Sequence, residues 1–175
     1  MKNKKIFIAW NGENREIAIK VGNILSANEF SPIVGGSSRT AFTVNEEIRK
    51  QMDSCDLAIF LIEKETRRNK QGEITSIGFN PNVMIELGYM LNKVHHSNVI
   101  RVLINLEPGE LPSDLSGTWS EFIEKEEFDE NDEEAKEAVF DGIANKIADV
   151  FFKYISSEKM TANKLDYFDK WETNA

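Results

Sequence analysis

Between Glu73 and Lys93 the chain carries a single charged residue, Glu86, set inside Val83-Met84-Ile85-Glu86-Leu87-Gly88-Tyr89-Met90-Leu91. Asn80-Pro81 is a helix start signal, an N-cap followed by proline at the first helical position. At about 100° per residue, Val83, Leu87, Met90 and Leu91 then share a core face, and Glu86 falls at its border on the side of Asn82. Partial desolvation raises the pKa of such a carboxyl and the helix dipole lowers it, so the residue types leave the balance open. One reading is structural: an acid at the edge of the core that pairs with a lysine or caps a loop. The other is catalytic. A fixed carboxylate suits a glycosidic carbon, where positive charge builds on the sugar in the transition state. Cleavage of an O-glycoside normally wants two carboxyls. A positively charged pyridinium, as in NAD, leaves without a proton donor, so one carboxylate suffices there.

The elements that must hold this residue read as alternating strands and helices. Ile6 to Trp10 is a first apolar run, followed by a polar turn Asn11-Gly12-Glu13-Asn14 and an amphipathic helix over Arg15 to Ala27, with Ile17, Val21, Ile24 and Leu25 inward. Phe30 to Val34 is a weaker strand whose Pro32 places it at a strand start or a sheet edge. Gly35 to Phe42 is a loop. Thr43 with Glu46 resembles a capping box that opens a helix turning Val44, Ile48 and Met52 inward. Leu57 to Ile62, continuously apolar, is expected as a central strand covered on both faces, and Glu63 to Ser76 as a long polar loop. The helix carrying Glu86 runs to about Lys93. A fourth strand spans Val99 to Ile104, and a last helix spans about Glu133 to Ile155, with Val139, Ile143, Ile147, Val150, Phe151 and Tyr154 on one stripe. This alternation predicts a doubly wound parallel α/β sheet of about four to five strands with helices on both faces. Ligands of such sheets bind at the carboxyl edge of the strands.

Composition narrows the partners. The chain has 175 residues, one domain's worth, with 41% hydrophobic residues and a net charge of −9. The segment 121–134 alone contains nine acids and one lysine, so the remainder is nearly neutral. A broad nucleic-acid footprint is excluded, and no apolar window approaches a membrane span. The acid run lacks the glycine-bearing spacing of an EF-hand and reads as a solvated loop and helix start. Cys55 is the single cysteine, which points to a reducing compartment, the cytoplasm, and to a half-buried thiol. His95 and His96 have no partners at metal-ligand spacing, so no metal is expected. Trp10 and Asn11 end the first strand, where an indole can stack on a nicotinamide or adenine ring or simply cap the core. Arg39 can meet a phosphate or stay solvated. Neither glycine-rich phosphate motif is present. Residues 1–155 read as one domain and 156–175 as a polar tail with Tyr167, Phe168 and Trp171 interspersed.

Taken in order, Ile6-Phe7-Ile8, the glycine and serine loop after the second strand, Asp56 to Leu61, Asn82 to Tyr89, and Leu111-Pro112-Ser113-Asp114-Leu115 resemble the bacterial TIR-like family of predicted nucleotide-binding proteins, over roughly residues 4–118. The most specific piece is Asn-Val-x-x-Glu-Leu-Gly-Tyr. The resemblance implies a flavodoxin-like fold, NAD as substrate with no bound cofactor, and antiphage defence. It makes Glu86 the catalytic residue, with Trp10, Asn11, Gly35, Gly36, Ser37, Arg39, Asn82 and Tyr89 on the substrate side. It also implies self-association, with Gly35 to Phe42 of one copy completing the site of the next. No activator domain is read in the 175 residues, so an activator is expected as a separate protein, unless the chain is a fragment. The chain departs from the family at Pro81, at Asn92 and His95-His96, and in the long loop Lys64 to Phe79. Two other readings remain: a nucleoside deoxyribosyltransferase-like enzyme with its glutamate in a similar Glu-x-Gly-Tyr setting, and a non-catalytic TIR-like adaptor.

Overall fold

A computed structural model describes residues 4–12, 14–35, 46–94, 98–107, 109–110, 120–129 and 131–156. The elements in chain order are β1 Lys5–Ala9, α1 Asn14–Ala27, β2 Ser31–Val34, α2 Glu46–Asp53, β3 Leu57–Ile62, β4 Lys64–Arg68, β5 Ile74–Phe79, α3 Pro81–Lys93, β6 Val99–Ile104, β7 Ser120–Ile123 and α4 Glu133–Ser156. Thr43 and Val44, the expected opening of α2, lie outside the described residues, as do Gly36, Ser37, Arg39, the histidine pair, the 111–115 stretch and the tail.

Every side chain of β3 and β6 is buried. Strands without an exposed face need cover on both sides, which parallel crossovers supply. The main sheet has the order β2-β1-β3-β6-β7 with every pair parallel. With the β4–β5 hairpin set aside, this is the 2-1-3-4-5 order of flavodoxin-like folds. Ile6, Ile8, Ile59, Leu61, Val102 and Ile104 face α1 and α4. Phe7, Ala9, Phe60, Ile62, Val99 and Leu103 face α2 and α3. The proline of β2 sits where its missing N–H is tolerated, on the sheet's edge.

Two expected loops are strands. Residues 64–79 form an antiparallel hairpin, because the turn chemistry outweighs weak apolar patterning: Asn69 Oδ1 accepts from the backbone N–H groups of Gln71 (2.9 Å) and Glu73 (3.0 Å). Gly72 supplies the left-handed φ of +83° that this turn requires. The start of the acidic segment is β7, the fifth strand. Its Ile123 is buried and pairs with Ile104, while Glu121 and Phe122 sit in register with Val102 and Leu103. A four-residue strand with one buried residue carries too little periodicity to be read from sequence. Cys55 is buried rather than half-buried, its thiol donating to Gln51 O at 3.2 Å.

The β2 strand closes onto β1 through Gly35, whose N–H donates to Ile8 O at 2.9 Å. A Cβ on Gly35 would stand 2.7 Å from Phe7 Cζ. Phe7 is fully buried and packs on Phe60 with ring centroids 6.3 Å apart, so it has no room to yield. Gly35→Ala is therefore expected to destabilise the fold by about 1–3 kcal/mol, as overpacking does. Urea unfolding checks this, and an unchanged midpoint would show that the Phe7 ring moves freely.

Candidate functional site

At the β1/β3 switch point two chain segments leave the sheet's carboxyl edge in different directions, and polar side chains fill the opening. Asn11, 2% exposed, pairs with the backbone of Glu63 twice: its Nδ2 donates to Glu63 O (3.0 Å) and its Oδ1 accepts from Glu63 N–H (3.3 Å). The Glu63 carboxylate gathers the neighbouring elements. Oε2 accepts from Asn14 Nδ2 at the start of α1 (3.1 Å) and pairs with Lys125 Nζ (3.2 Å), and Oε1 accepts from Asn105 Nδ2 at the end of β6 (3.1 Å). Asn105 adopts a left-handed φ of 52° there, which asparagine tolerates better than most residues. In that conformation its backbone N–H donates to Ile123 O (3.0 Å) and its Oδ1 accepts from Lys125 N–H (2.8 Å).

A second carboxylate links this network to the helix that carries Glu86. Glu65 Oε1 accepts from Asn11 Nδ2 (3.3 Å) and from Asn80 Nδ2 (3.0 Å). Asn80 in turn caps α3, its Oδ1 accepting from Asn82 N–H (2.9 Å), and Pro81 follows at the first helical position. Both start signals read from the sequence are thus in place. Glu86 lies six residues beyond the cap, about 9 Å along the helix axis.

Glu86 is more buried than a border position, only 6% exposed beside Val83, Leu87 and Met90. It has no hydrogen-bond or ion-pair partner among the described residues. Burial alone pushes its carboxyl up to about 7. The helix dipole, which acts the other way, is weak in the second turn. The structural reading that pairs this acid with a lysine finds no support among the described residues.

The other sequence candidates separate. Trp10 donates its indole N–H to Gly35 O and packs with the α1/α4 side of the core. Glu86 sits on the α3 side, so the sheet lies between them. Tyr89 turns to α2, its hydroxyl donating to Asp53 Oδ1 at 2.6 Å with the Arg49 guanidinium 5.8 Å from its ring. The hydrogen bond to Asp53 holds that phenol above its ordinary pKa. Asn82 is half-buried in the first turn of α3. Among the described residues no three His, Cys, Asp or Glu side chains group as a metal site, and no helix is long and apolar enough to cross a membrane.

Sequence reading passed over Glu63 and Glu65, hidden in a polar stretch, and Arg101. Arg101 is 1% exposed on the α3 side of β6, and burial lowers its pKa. Its signal was available: a lone charge inside Val-Ile-Arg-Val-Leu-Ile.

Residues 5–125 match the TIR domain of the CAP12/Pycsar effector proteins. The chain belongs to that family. Protein tirC of Dictyostelium discoideum is 28% identical over 131 residues, covering 69% of this chain, which spans 65% of that protein's length. Among solved structures, a diflavin flavoprotein A3 of Nostoc sp. superposes with a TM-score of 0.47 at 12% identity, covering 95% of this chain and 97% of that one. A flavo-di-iron protein of Thermotoga maritima gives 0.49 at 16% identity, covering 85% of this chain and 36% of that one. The family match spans β1 to β7 and takes in both the switch-point network and Glu86.

Two outcomes test the electrostatics of this TIR domain. The folded state holds a proton on Glu86 up to about 7, whereas the unfolded chain releases it near 4.5. Between those values the folded state binds more protons, so stability is fully present below the unfolded pKa and is lost as pH rises through 7. The loss amounts to about 3 kcal/mol. Glu86→Gln cannot ionise, so relative to wild type it should gain about that much between pH 4 and pH 8 in urea unfolding. A difference independent of pH would refute a neutralised buried carboxyl. For the cap, Glu65→Ala strands the amides of Asn11 and Asn80 and should cost about 1–2 kcal/mol, while Glu65→Gln keeps an accepting oxygen and should cost less than about 1. Equal costs would mean that charge, not the shared acceptor, holds the two segments together.

Proposed function

We propose that this TIR domain breaks the nicotinamide–ribose N-glycosidic bond of NAD, releasing nicotinamide and giving ADP-ribose or a cyclic form of it. The observation that carries the reading is Glu86. It is a buried carboxyl without a partner among the described residues, in the first half of a helix that opens at the carboxyl edge, and it falls within the Asn82 to Tyr89 stretch. An ionised carboxylate held in a poorly solvated place stabilises the ribosyl cation as the pyridinium leaves, and does so more strongly than it would in water. Water then attacks the sugar carbon, or an internal nucleophile closes the ring. The positive charge of bound NAD's pyridinium ring favours the ionised form of Glu86, so substrate draws the residue toward its working state.

Membership of an effector family supports placing this activity in antiphage defence, switched on by a separate protein or signal and aided by contacts between copies. The lone buried cysteine fits a reducing, cytoplasmic setting.

The test is mass spectrometry of products after incubating concentrated protein with NAD. Nicotinamide release is expected, and Glu86→Gln should lower it by at least about 100-fold with the fold intact, the scale of losing a transition-state electrostatic contact. Because the carboxylate must be ionised, kcat/KM should rise about tenfold per pH unit below 7 and level off above it. A rate that falls above pH 7, or a Gln variant as fast as an active wild type, overturns the assignment.

A further inference from the structure

Helices α2 and α3 cover the same face of the sheet, and each leads from one parallel strand to the next, so both run from the carboxyl edge toward the amino edge. Seven residues of α-helix turn through about 700°, so Glu86 and Lys93 lie within about 20° of one line on α3, with Tyr89 about 60° from Glu86. The amino-edge part of that line faces α2. Lys93 Nζ donates to Met52 O and to Cys55 O (3.4 Å), and the Tyr89 hydroxyl donates to Asp53 Oδ1 (2.6 Å). Glu86 shares the line, so it faces the α2–α3 seam about 4.5 Å nearer the carboxyl edge than Tyr89.

The α2 side of this seam carries Arg49. It precedes Asp53 by four residues, which puts it on the same side of α2 and about 6 Å nearer the carboxyl edge. Its guanidinium carbon stands 5.8 Å from the centre of the Tyr89 ring, and the hydroxyl bond to Asp53 holds that ring in place beneath it. Arg49 is exposed and makes no hydrogen bond or ion pair among the described residues. Neighbouring bases are engaged: Lys64 with Glu110, Lys125 with Glu63, and Lys93 with the end of α2. A guanidinium presents five N–H donors in a fork that matches two phosphate oxygens. Resting on an aromatic face, it keeps those donors while part of its rotamer freedom is already gone, so an arriving anion has less to order.

We propose that Arg49, seated on Tyr89, holds the pyrophosphate of the dinucleotide whose ribosyl carbon lies at Glu86. This rests on the NAD reading and names the anionic subsite of that same site. The reacting carbon and the 5′ phosphate stand at opposite ends of one sugar, as the buried carboxyl and the exposed guanidinium stand at the floor and the rim of one seam. Pyrophosphate also brings negative charge to a site whose working group is itself an anion, and Arg49 offsets that repulsion. Tyr89 is then a positioning residue: it turns away from Glu86 to α2 and serves the substrate through the arginine it carries.

Calorimetric titration of the full chain with ADP-ribose, which has the pyrophosphate and no nicotinamide to release, tests this apart from cleavage. Wild type should bind between about 1 µM and 1 mM, as ordinary substrates do. Arg49→Ala, at an exposed position, should leave circular dichroism unchanged and weaken binding at least about tenfold, as loss of a charge-assisted hydrogen bond does. Tyr89→Phe keeps the ring and should stay within about threefold of wild type. Tyr89→Leu should weaken binding alone but not further when added to Arg49→Ala, because the ring acts through the arginine. In cleavage assays Arg49→Ala should raise KM for NAD with kcat held, and should leave the rate on nicotinamide riboside, which has the same scissile bond and no phosphate, unchanged. A wild type that does not bind ADP-ribose overturns the proposal. So does an alanine variant that binds it as tightly, an equal loss on nicotinamide riboside, or a further loss from Tyr89→Leu without Arg49. Arg49-dependent binding with no nicotinamide released would keep the phosphate subsite and sink the cleavage reading.

Discussion

The pairing of the Asn11 side chain with the backbone of Glu63 is the contact on which the rest of the carboxyl edge depends. Past Ala9 and Phe60 the β1–β3 ladder ends, because the chain must turn into α1 on one side and, after Ile62, into the hairpin on the other. An asparagine amide has the donor and acceptor of a peptide group, and Asn11 uses both on Glu63, adding one more rung made by a side chain. The exits of β1 and β3 are thereby fixed against each other. With Glu63 held, its carboxylate reaches Asn14, Asn105 and Lys125, so four exits from the sheet converge on one residue. Each bond is worth about 1 kcal/mol net, yet removing one partner strands buried polar groups and costs more than that.

Glu86 runs opposite to this. The network satisfies its charges, whereas Glu86 is buried without compensation, and its ionised form is a standing cost to the fold. The helix tolerates it because the first turn is secured independently, by Asn80, Pro81 and the bond from Glu65. The stability lost as pH rises from 4.5 to about 7 is the free energy of holding that anion poorly solvated, viewed from the folding side. Among the described residues the polar edge and the isolated acid are joined only through Asn80, which donates to Glu65 and caps the helix that carries Glu86.

Much of this was legible in the residues, for identifiable reasons. The apolar runs of β1, β3 and β6 are long and uninterrupted, and Asn80-Pro81 is a local signal needing no tertiary context, so the parallel α/β order and the start of α3 could be read directly. The burial of Glu86 could not. Helical spacing puts it at a border, and only the packing of α3 on β3 and α2 decides which way a border falls. Glu63 and Glu65 were illegible for a different reason. A glutamate just after a strand resembles any loop acid until Asn11, Asn14 and Asn80, far apart in sequence, are brought to it. The hairpin was missed because its stability lies in the Asn69 turn and a bulge, neither of which leaves a period-two pattern.

The carboxylates of this chain therefore cannot be sorted by residue type or by local charge. Glu63 is held by an ammonium and two amides and serves architecture. Glu86 has none of these among the described residues and is pushed toward neutrality by burial. The described acids of 121–134 other than Glu121 are exposed, where separate charges are screened and individually weak, so their effect comes from number and placement beside an exposed Phe122 on a sheet edge. An edge strand invites pairing with other chains. Surrounding it with like charge repels another copy of the same edge.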